Sequence, residues 1–133
     1  MLGDMQAISL CDPLTPDLAY CEKIRSEAGE GPIITLNLLK FQRGSGRAKF
    51  DDYARISGPL LEKARADVLF LGNAGPLVAG RAGDEDWDMV AVVRFANIDR
   101  FLAMITDPTY QIEGRKLREE SLERVIWLLT YPV

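Results

Sequence analysis

Residues 33–41 read IITLNLLKF, a run of strand-forming residues that is apolar at both parities of the two-residue strand repeat. Such a run predicts a central strand covered on both sides, because a half-exposed strand alternates apolar and polar residues. Two further runs have the same character, residues 87–95 (WDMVAVVRF) and residues 125–131 (VIWLLTY). A fourth strand is predicted in two parts, at 68–71 and 77–80, interrupted by the turn-forming residues 73–76 (NAGP).

Helical periodicity and capping residues predict helices in the segments outside these strands. Four helices are predicted: residues 15–28 with Thr15 as the N-cap, residues 49–66, a helix capped by Asn97, and one from Asp107-Pro108 to about residue 122. Pro59 lies inside the second helix, where we expect it to kink or restart the helix because proline removes a backbone hydrogen bond.

The resulting β-α-β-β-α-β order predicts an α+β fold of the ferredoxin-like type, with an extra helix in front and another before the last strand. We expect one domain over residues 1–133, with its core at about residues 31–131. Right-handed crossovers predict an antiparallel four-stranded sheet in the order 4-1-3-2 with the helices on one face, and we expect the first and third strands to run parallel at its centre. The face without helices is apolar, which predicts that a second copy of the chain covers it in a homodimer.

Composition excludes several classes of function. The chain has 133 residues, a formal net charge of −4 and no basic cluster, which argues against nucleic-acid partners and anionic membranes. No apolar stretch is long enough to span a bilayer, and the first ten residues lack the pattern of a secretory signal, so we expect a cytoplasmic protein. The spacing of Cys11 and Cys21 is not that of a zinc site or disulfide framework.

The sequence contains no histidine. This removes Ser-His and Cys-His nucleophilic mechanisms, haem ligation by imidazole and the iron site built from two histidines and a carboxylate. We therefore expect neither a metal nor another cofactor.

Two polar motifs resemble binding loops, but we expect both to be structural. Residues 84–88 (DEDWD) begin like a calcium loop, but Met89 and Phe95 stand where that loop needs glycine and glutamate, so we expect a solvated hairpin tip. Residues 44–47 (GSGR) lack the remainder of a phosphate-binding motif, and we expect a flexible loop.

Candidate ligand-binding residues are polar side chains in positions that should be buried. Asn37 interrupts an apolar strand and needs a partner, which is either neighbouring backbone, Tyr53 or a ligand. Arg94 ends a central strand, where it can clamp an anionic oxygen or form a salt bridge. Tyr53, on the apolar stripe of the second helix, is a further candidate. Tyr110 and Arg115, with Arg118 after them, can face the same cleft. We expect Asn37, Arg94 and Tyr110 to surround one cavity on the helix-covered side.

Several segments resemble one family when taken together. They are Gly31-Pro32, the N-L-L-x-F motif at 37–41, Trp87-Asp88, residues 94–97 (RFAN) and residues 104–111 (MITDPTYQ), which contain a D-P-x-Y-Q motif. The chain is similar, over roughly residues 15–131, to small bacterial proteins known only as a domain of unknown function within the dimeric α/β-barrel superfamily. That family usually has R-Y-P-S where this chain has RFAN, so a tyrosine hydroxyl is lost here.

The resemblance implies a homodimer in which two four-stranded sheets face each other as a barrel, with a small-molecule pocket between each sheet and its own helices. Members of the superfamily include cofactor-independent monooxygenases, haem enzymes and enzymes that degrade small molecules, so the fold does not choose a reaction.

Two functions remain open. One is a metal-independent enzyme that acts on a small anionic or aromatic metabolite, and the other is a non-catalytic homodimer with a ligand-binding, regulatory or structural role. A polar-lined pocket with Arg94 unpaired would favour the enzyme, whereas a dry interior with Arg94 in a salt bridge would favour the second function.

Overall fold

The computed structural model describes residues 14–133 of the chain. Its elements are α1 (Leu18–Ala28), β1 (Ile33–Phe41), α2 (Gly46–Lys63), β2 (Asp67–Asn73), β3 (Met89–Phe95), α3 (Ile98–Thr106), a π-helical turn (Tyr110–Gly114), α4 (Arg115–Ser121) and β4 (Leu122–Thr130). Cys11, for which we predicted no zinc or disulfide role, lies outside the described residues.

The sheet has the order β2-β3-β1-β4 and every neighbouring pair is antiparallel. This is the predicted ferredoxin-like sheet. The expectation that the first and third strands are parallel was wrong, because β1 pairs with β3 in the antiparallel sense. The physical reason is the connectivity: β1 and β2 run parallel through the α2 crossover, and β3, which lies between them, reverses direction after β2.

The second strand is shorter than predicted. β2 is a single strand that ends at Asn73, with a register shift between Val68 and Phe70, and residues 77–80 are not part of the sheet. Just beyond the pairing of β2 with β3, the N–H of Ala74 donates to the carbonyl of Asp88 over 2.9 Å. Pro76 then has no N–H with which to extend the pairing.

Side-chain caps mark the starts of two helices, and one of these caps differs from the prediction. Asn97 accepts the N–H of Arg100 over 3.0 Å, which confirms that cap. α1 is capped by Asp17, which accepts the N–H of Tyr20 over 3.0 Å, and so begins later than the cap predicted at Thr15 implies. α2 runs through Pro59 as one helix and ends at Lys63.

The last helix is divided at Gly114. Five residues of π-helix come first, and the N–H of Arg115 donates to the carbonyl of Tyr110, five residues earlier. A π-turn holds one residue more than an α-turn, so it changes the direction in which all later side chains of the helix point.

The helices cover one face of the sheet and leave the other face uncovered within the chain. The odd-numbered residues of β1 are buried and face the helices, while its even-numbered residues are half-buried on the other face. Strand register puts the following apolar residues on that helix-free face: Ile34, Leu36, Leu38, Phe70, Val90, Val92, Ile126 and Leu128. Phe70 is 54% exposed and Leu128 51%, so the predicted apolar face is present and uncovered within the chain.

Charged side chains form ion pairs at one end of this face. Lys40 contacts Asp86 over 2.9 Å and Asp88 over 3.5 Å, and Arg124 contacts Asp86 over 3.2 Å. The hydrogen bond from Lys40 lowers the pKa of Asp86. The acidic segment predicted to be a solvated hairpin tip is therefore tied to β1 and β4 by ion pairs.

No helix within residues 14–133 is long and apolar enough to cross a membrane.

Candidate functional site

A buried arginine is the most unusual feature of the helix-covered side. Arg118, on α4, is 3% exposed, and its Nη2 donates to Oδ1 of Asn37 over 2.8 Å. It forms no ion pair with any carboxylate in residues 14–133. Since charged residues are almost never this deeply buried unless they are paired, Arg118 is a strong candidate for a functional residue.

Aromatic rings surround the guanidinium of Arg118. Its Cζ atom lies 4.1 Å from the ring centroid of Trp127 and 5.6 Å from that of Tyr53. The faces of these rings attract a cation, and this offsets part of the cost of removing the charge from water. They supply no lone pair in the plane of the guanidinium, so its N–H groups still need acceptors.

Tyr110 extends the aromatic cluster from the first residue of the π-turn. Its ring meets the ring of Tyr53 edge-on, with 6.4 Å between centroids, and the residue is fully buried. Burial raises the pKa of the Tyr110 hydroxyl far above its usual value, and the adjacent Tyr53 phenol raises it further, while the charge of Arg118 acts in the opposite direction. The hydroxyl is therefore a proton donor at every ordinary pH.

Three buried polar atoms have no hydrogen-bond partner within the described residues. They are Nε of Arg118, the hydroxyl of Tyr110 and Nε1 of Trp127. The two nitrogens are donors and the hydroxyl is able to donate, so the group lacks acceptors. Unpaired donors are costly in a folded core, and all three atoms are enclosed by protein rather than open to the solvent.

A cavity of about 440 Å³ lies beside this cluster. Its walls come from residues 14–17, α1, α3 and β4, and they include Asp17, Ile24, Ile98, Phe101, Leu102 and Trp127. Arg118 is not among the described residues that line it. The ring of Phe101 meets that of Trp127 edge-on at 5.5 Å. Trp127 therefore belongs both to the cavity wall and to the surroundings of Arg118.

Arg94 does not belong to this site. Strand register pairs it with Ile34, and pairs Asn37 with Ala91, so Arg94 and Asn37 lie on opposite faces of the sheet. Its Nη1 lies 3.7 Å from the carboxylate of Asp67 on β2. The expectation that Arg94, Asn37 and Tyr110 surround one cavity was wrong, because Arg94 forms a salt bridge on the helix-free face.

The other predicted residues fall into two groups. Asn37, Tyr53 and Tyr110 are buried on the helix-covered side around Arg118. Arg115 is not part of that cluster: its side chain is 43% exposed and contacts Glu119 over 3.1 Å and Gln111 over 3.4 Å. The expected partner of Asn37 was backbone, Tyr53 or a ligand, and the partner found is Arg118.

No role was predicted for Trp127, and Arg118 was predicted only to face the same cleft as Tyr110 and Arg115. Both omissions have causes in the sequence, since Trp127 reads as strand core and Arg118 lies in the charged run KLREES. A signal for Arg118 was nevertheless present. Tyr110, Gly114 and Arg118 are spaced by four residues, which predicts a common helix face, and all three are buried.

Within the described part of the chain, no cluster of three or more cysteine and carboxylate side chains could hold a metal ion.

Comparisons with known proteins give structural neighbours. No protein-family model matches the chain, and no curated protein matches it. The chain is similar to a protein of unknown function from Rhodopseudomonas palustris, with 27% identity over 91% of this chain and 97% of that one and a TM-score of 0.82. The family that the sequence motifs resemble therefore stays a prediction.

Two further solved structures show the fold alone. One is a DABB family protein with a ferredoxin-like fold from Mesorhizobium loti, with 13% identity, 77% of this chain and 98% of that chain covered, and a TM-score of 0.54. The other is a dimeric ferredoxin-like protein of unknown function from Jannaschia sp., with 14% identity, 77% and 100% covered, and a TM-score of 0.56. Together with the strand order, these similarities establish a ferredoxin-like α+β fold.

Proposed function

We propose that this chain acts as a homodimer that binds a small organic molecule between its sheet and its helices. The observation that carries the proposal is the 440 Å³ cavity whose wall residue Trp127 also packs on the buried guanidinium of Arg118. An apolar cavity beside a few convergent polar groups is the usual composition of a small-molecule site.

The dimer is supported by the distribution of side chains on the helix-free face. Its centre is apolar and partly exposed, with Leu36, Val92 and Leu128 among its residues. Ion pairs lie at its two ends, Lys40 with Asp86 at one and Arg94 with Asp67 at the other. An apolar centre with a polar rim is typical of subunit interfaces. The ferredoxin-like protein from Jannaschia sp. is itself described as dimeric.

For the reaction, we propose a metal-independent enzyme that acts on a small anionic or aromatic metabolite. Arg118 would supply a positive charge behind the cavity wall at Trp127, and Asn37 would hold the guanidinium in place. The second candidate is a non-catalytic homodimer that binds a ligand. The salt bridge between Arg94 and Asp67 favours this second function, because it removes the cation first expected to act on substrate.

The experiment is a thermal-shift screen of the purified chain against a metabolite library, since a ligand that binds the native state raises the melting temperature. Two matched variants identify the cavity as the binding place. Ile24→Trp fills it from α1, whereas Glu27→Trp adds the same ring on the exposed side of that helix. A compound found in the screen should no longer raise the melting temperature of Ile24→Trp, but it should still raise that of Glu27→Trp. Equal loss or equal retention in the two variants would contradict the proposal.

A further inference from the structure

We infer that the ligand of this cavity is an uncharged aromatic molecule, and that Asp17 in the cavity wall disfavours anions. The inference rests on the proposed function, because it assumes that the cavity beside Trp127 holds a ligand. It adds the chemical class of that ligand. Of the anionic and aromatic metabolites proposed as substrates, it selects aromatic ones without a negative charge.

The wall of the cavity determines the body of the ligand. Most of the wall is apolar, and three of the residues that line it, Tyr20, Phe101 and Trp127, are aromatic. The rings of Phe101 and Trp127 also contact each other edge-on. A flat apolar ring removes the most area from water when it packs against such a wall. The volume of about 440 Å³ lies in the usual range for small-molecule sites.

The charge of the wall determines the charge of the ligand. Among the described residues that line the cavity, Asp17 is the only one with a charged side chain, and none is an arginine or a lysine. An anion that entered would leave water without gaining a cationic partner, and it would approach a carboxylate. An uncharged ligand meets neither penalty.

The negative charge of Asp17 has a fixed position. Asp17 is the N-cap of α1, and its Oδ1 accepts the backbone N–H of Tyr20 over 3.0 Å. This bond holds the carboxylate next to a residue that itself lines the cavity. The same side chain therefore starts the helix and contributes charge to the cavity wall.

The charge of Arg118 does not reverse this preference. Its Cζ atom lies 4.1 Å from the ring centroid of Trp127, but Arg118 is not among the described residues that line the cavity. Its Nε is enclosed by protein and its Nη2 donates to Asn37. Arg118 thus offers an anion in the cavity no hydrogen bond, and such bonds are what compensate a carboxylate for the loss of water.

The test is isothermal titration calorimetry of the full chain, at low salt, with 2-naphthylmethanol and with 2-naphthoate, which share a ring system and differ in charge. The native chain should bind the alcohol at least about tenfold more tightly than the carboxylate, because burial of an unpaired charge is costly. Ile24→Trp should lose binding of the alcohol, because the added ring fills the cavity.

A matched pair of variants tests the part played by Asp17. Asp17→Asn removes the charge and keeps a residue that caps helices well, so α1 should remain intact. It should narrow the preference for the alcohol by roughly two- to fivefold, the usual size of an effect between exposed charges. Asp51→Asn makes the same change of charge on the exposed side of α2 and should leave the preference as it is.

Four results would overturn the inference. Equal or tighter binding of 2-naphthoate to the native chain, lost in Ile24→Trp, would mean that the cavity binds ligands but does not disfavour anions. The same preference in Asp17→Asn as in the native chain would show that Asp17 does not select the ligand. Unchanged binding of the alcohol to Ile24→Trp would place it outside the cavity. If the native chain binds neither compound, the aromatic class is wrong, and the library screen with Ile24→Trp still decides the proposed function by itself.

Discussion

Arg118 donates from Nη2 to the side-chain oxygen of Asn37 over 2.8 Å, a contact between residues that are 81 positions apart in the chain. It joins α4 to the middle of β1, on the face of the sheet that the helices cover. The acceptor is a neutral amide, so the bond orients the guanidinium and leaves its charge in place. The buried guanidinium therefore has a fixed position and no carboxylate partner within residues 14–133.

The two faces of β3 allow a matched test of the dimer. Val92 lies on the helix-free face, while its neighbour Val93 lies under the helices and is buried. Val92→Asp should give a folded monomer, because it places a charge in the proposed interface. Val93→Asp should unfold the chain, because it buries a carboxylate in the core. Light scattering after size exclusion, with circular dichroism as the control for folding, distinguishes these outcomes. A folded Val92→Asp variant that stays dimeric would contradict the interface.

The contact between α2 and the end of α4 depends on a glycine. A Cβ atom at Gly46 would lie 2.7 Å from the carbonyl oxygen of Ser121, which also accepts the N–H of Gln42 over 2.8 Å. Gly46→Ala should therefore lower the free energy of unfolding by about 1–3 kcal/mol, the usual cost of overpacking. Gly114→Ala is the control, because its Cβ would meet no neighbour closer than 3.5 Å. Urea denaturation measures both, and equal stability of the two variants would refute the claimed close approach.

Tyr110 predicts how stability depends on alkaline pH. Burial raises its pKa in the folded chain above the ordinary value of 10.0, so the folded state keeps this proton when the unfolded state releases it. The contribution to stability is complete below about pH 10 and is lost as the pH rises further, with a slope of up to about 1.4 kcal/mol per pH unit. Urea midpoints measured across this range should fall more steeply for the native chain than for Tyr110→Phe. Parallel curves would mean that Tyr110 ionises in the folded state.

The fold was largely predictable from the sequence, and the exceptions have local causes. Strands rich in branched and aromatic residues, together with the cap at Asn97, predicted the element order and the strand order. The predicted direction of β3 relative to β1 was wrong, because strand direction follows from the connectivity of the chain and not from its residue pattern. The π-turn after Thr109 was not predicted, since nothing in residues 110–114 (YQIEG) distinguishes it from an α-helical turn.

The site was predictable in part. Asn37 was identified because a buried amide needs a partner, Tyr110 because it follows Asp107-Pro108 beside the expected cleft, and Tyr53 as a possible partner of Asn37. Arg94 was misplaced because β1 and β3 are apolar at both parities, so their sequences do not say which parity faces the helices. Only the register, which pairs Arg94 with Ile34 and Asn37 with Ala91, decides the face. Arg118 is surrounded by charged residues in sequence, and such runs usually form an exposed helix face.

The most direct test of the buried contact between Arg118 and Asn37 is a double-mutant cycle of Asn37→Ala and Arg118→Met, measured as free energies of unfolding in urea. A hydrogen bond from a charged donor in the core should give a coupling energy of about 1.5–3 kcal/mol between the two positions. Asn73→Ala, at the exposed end of β2, is the control and should show no coupling with Arg118→Met. Additive effects of Asn37→Ala and Arg118→Met would mean that the two side chains do not interact, and the account is wrong.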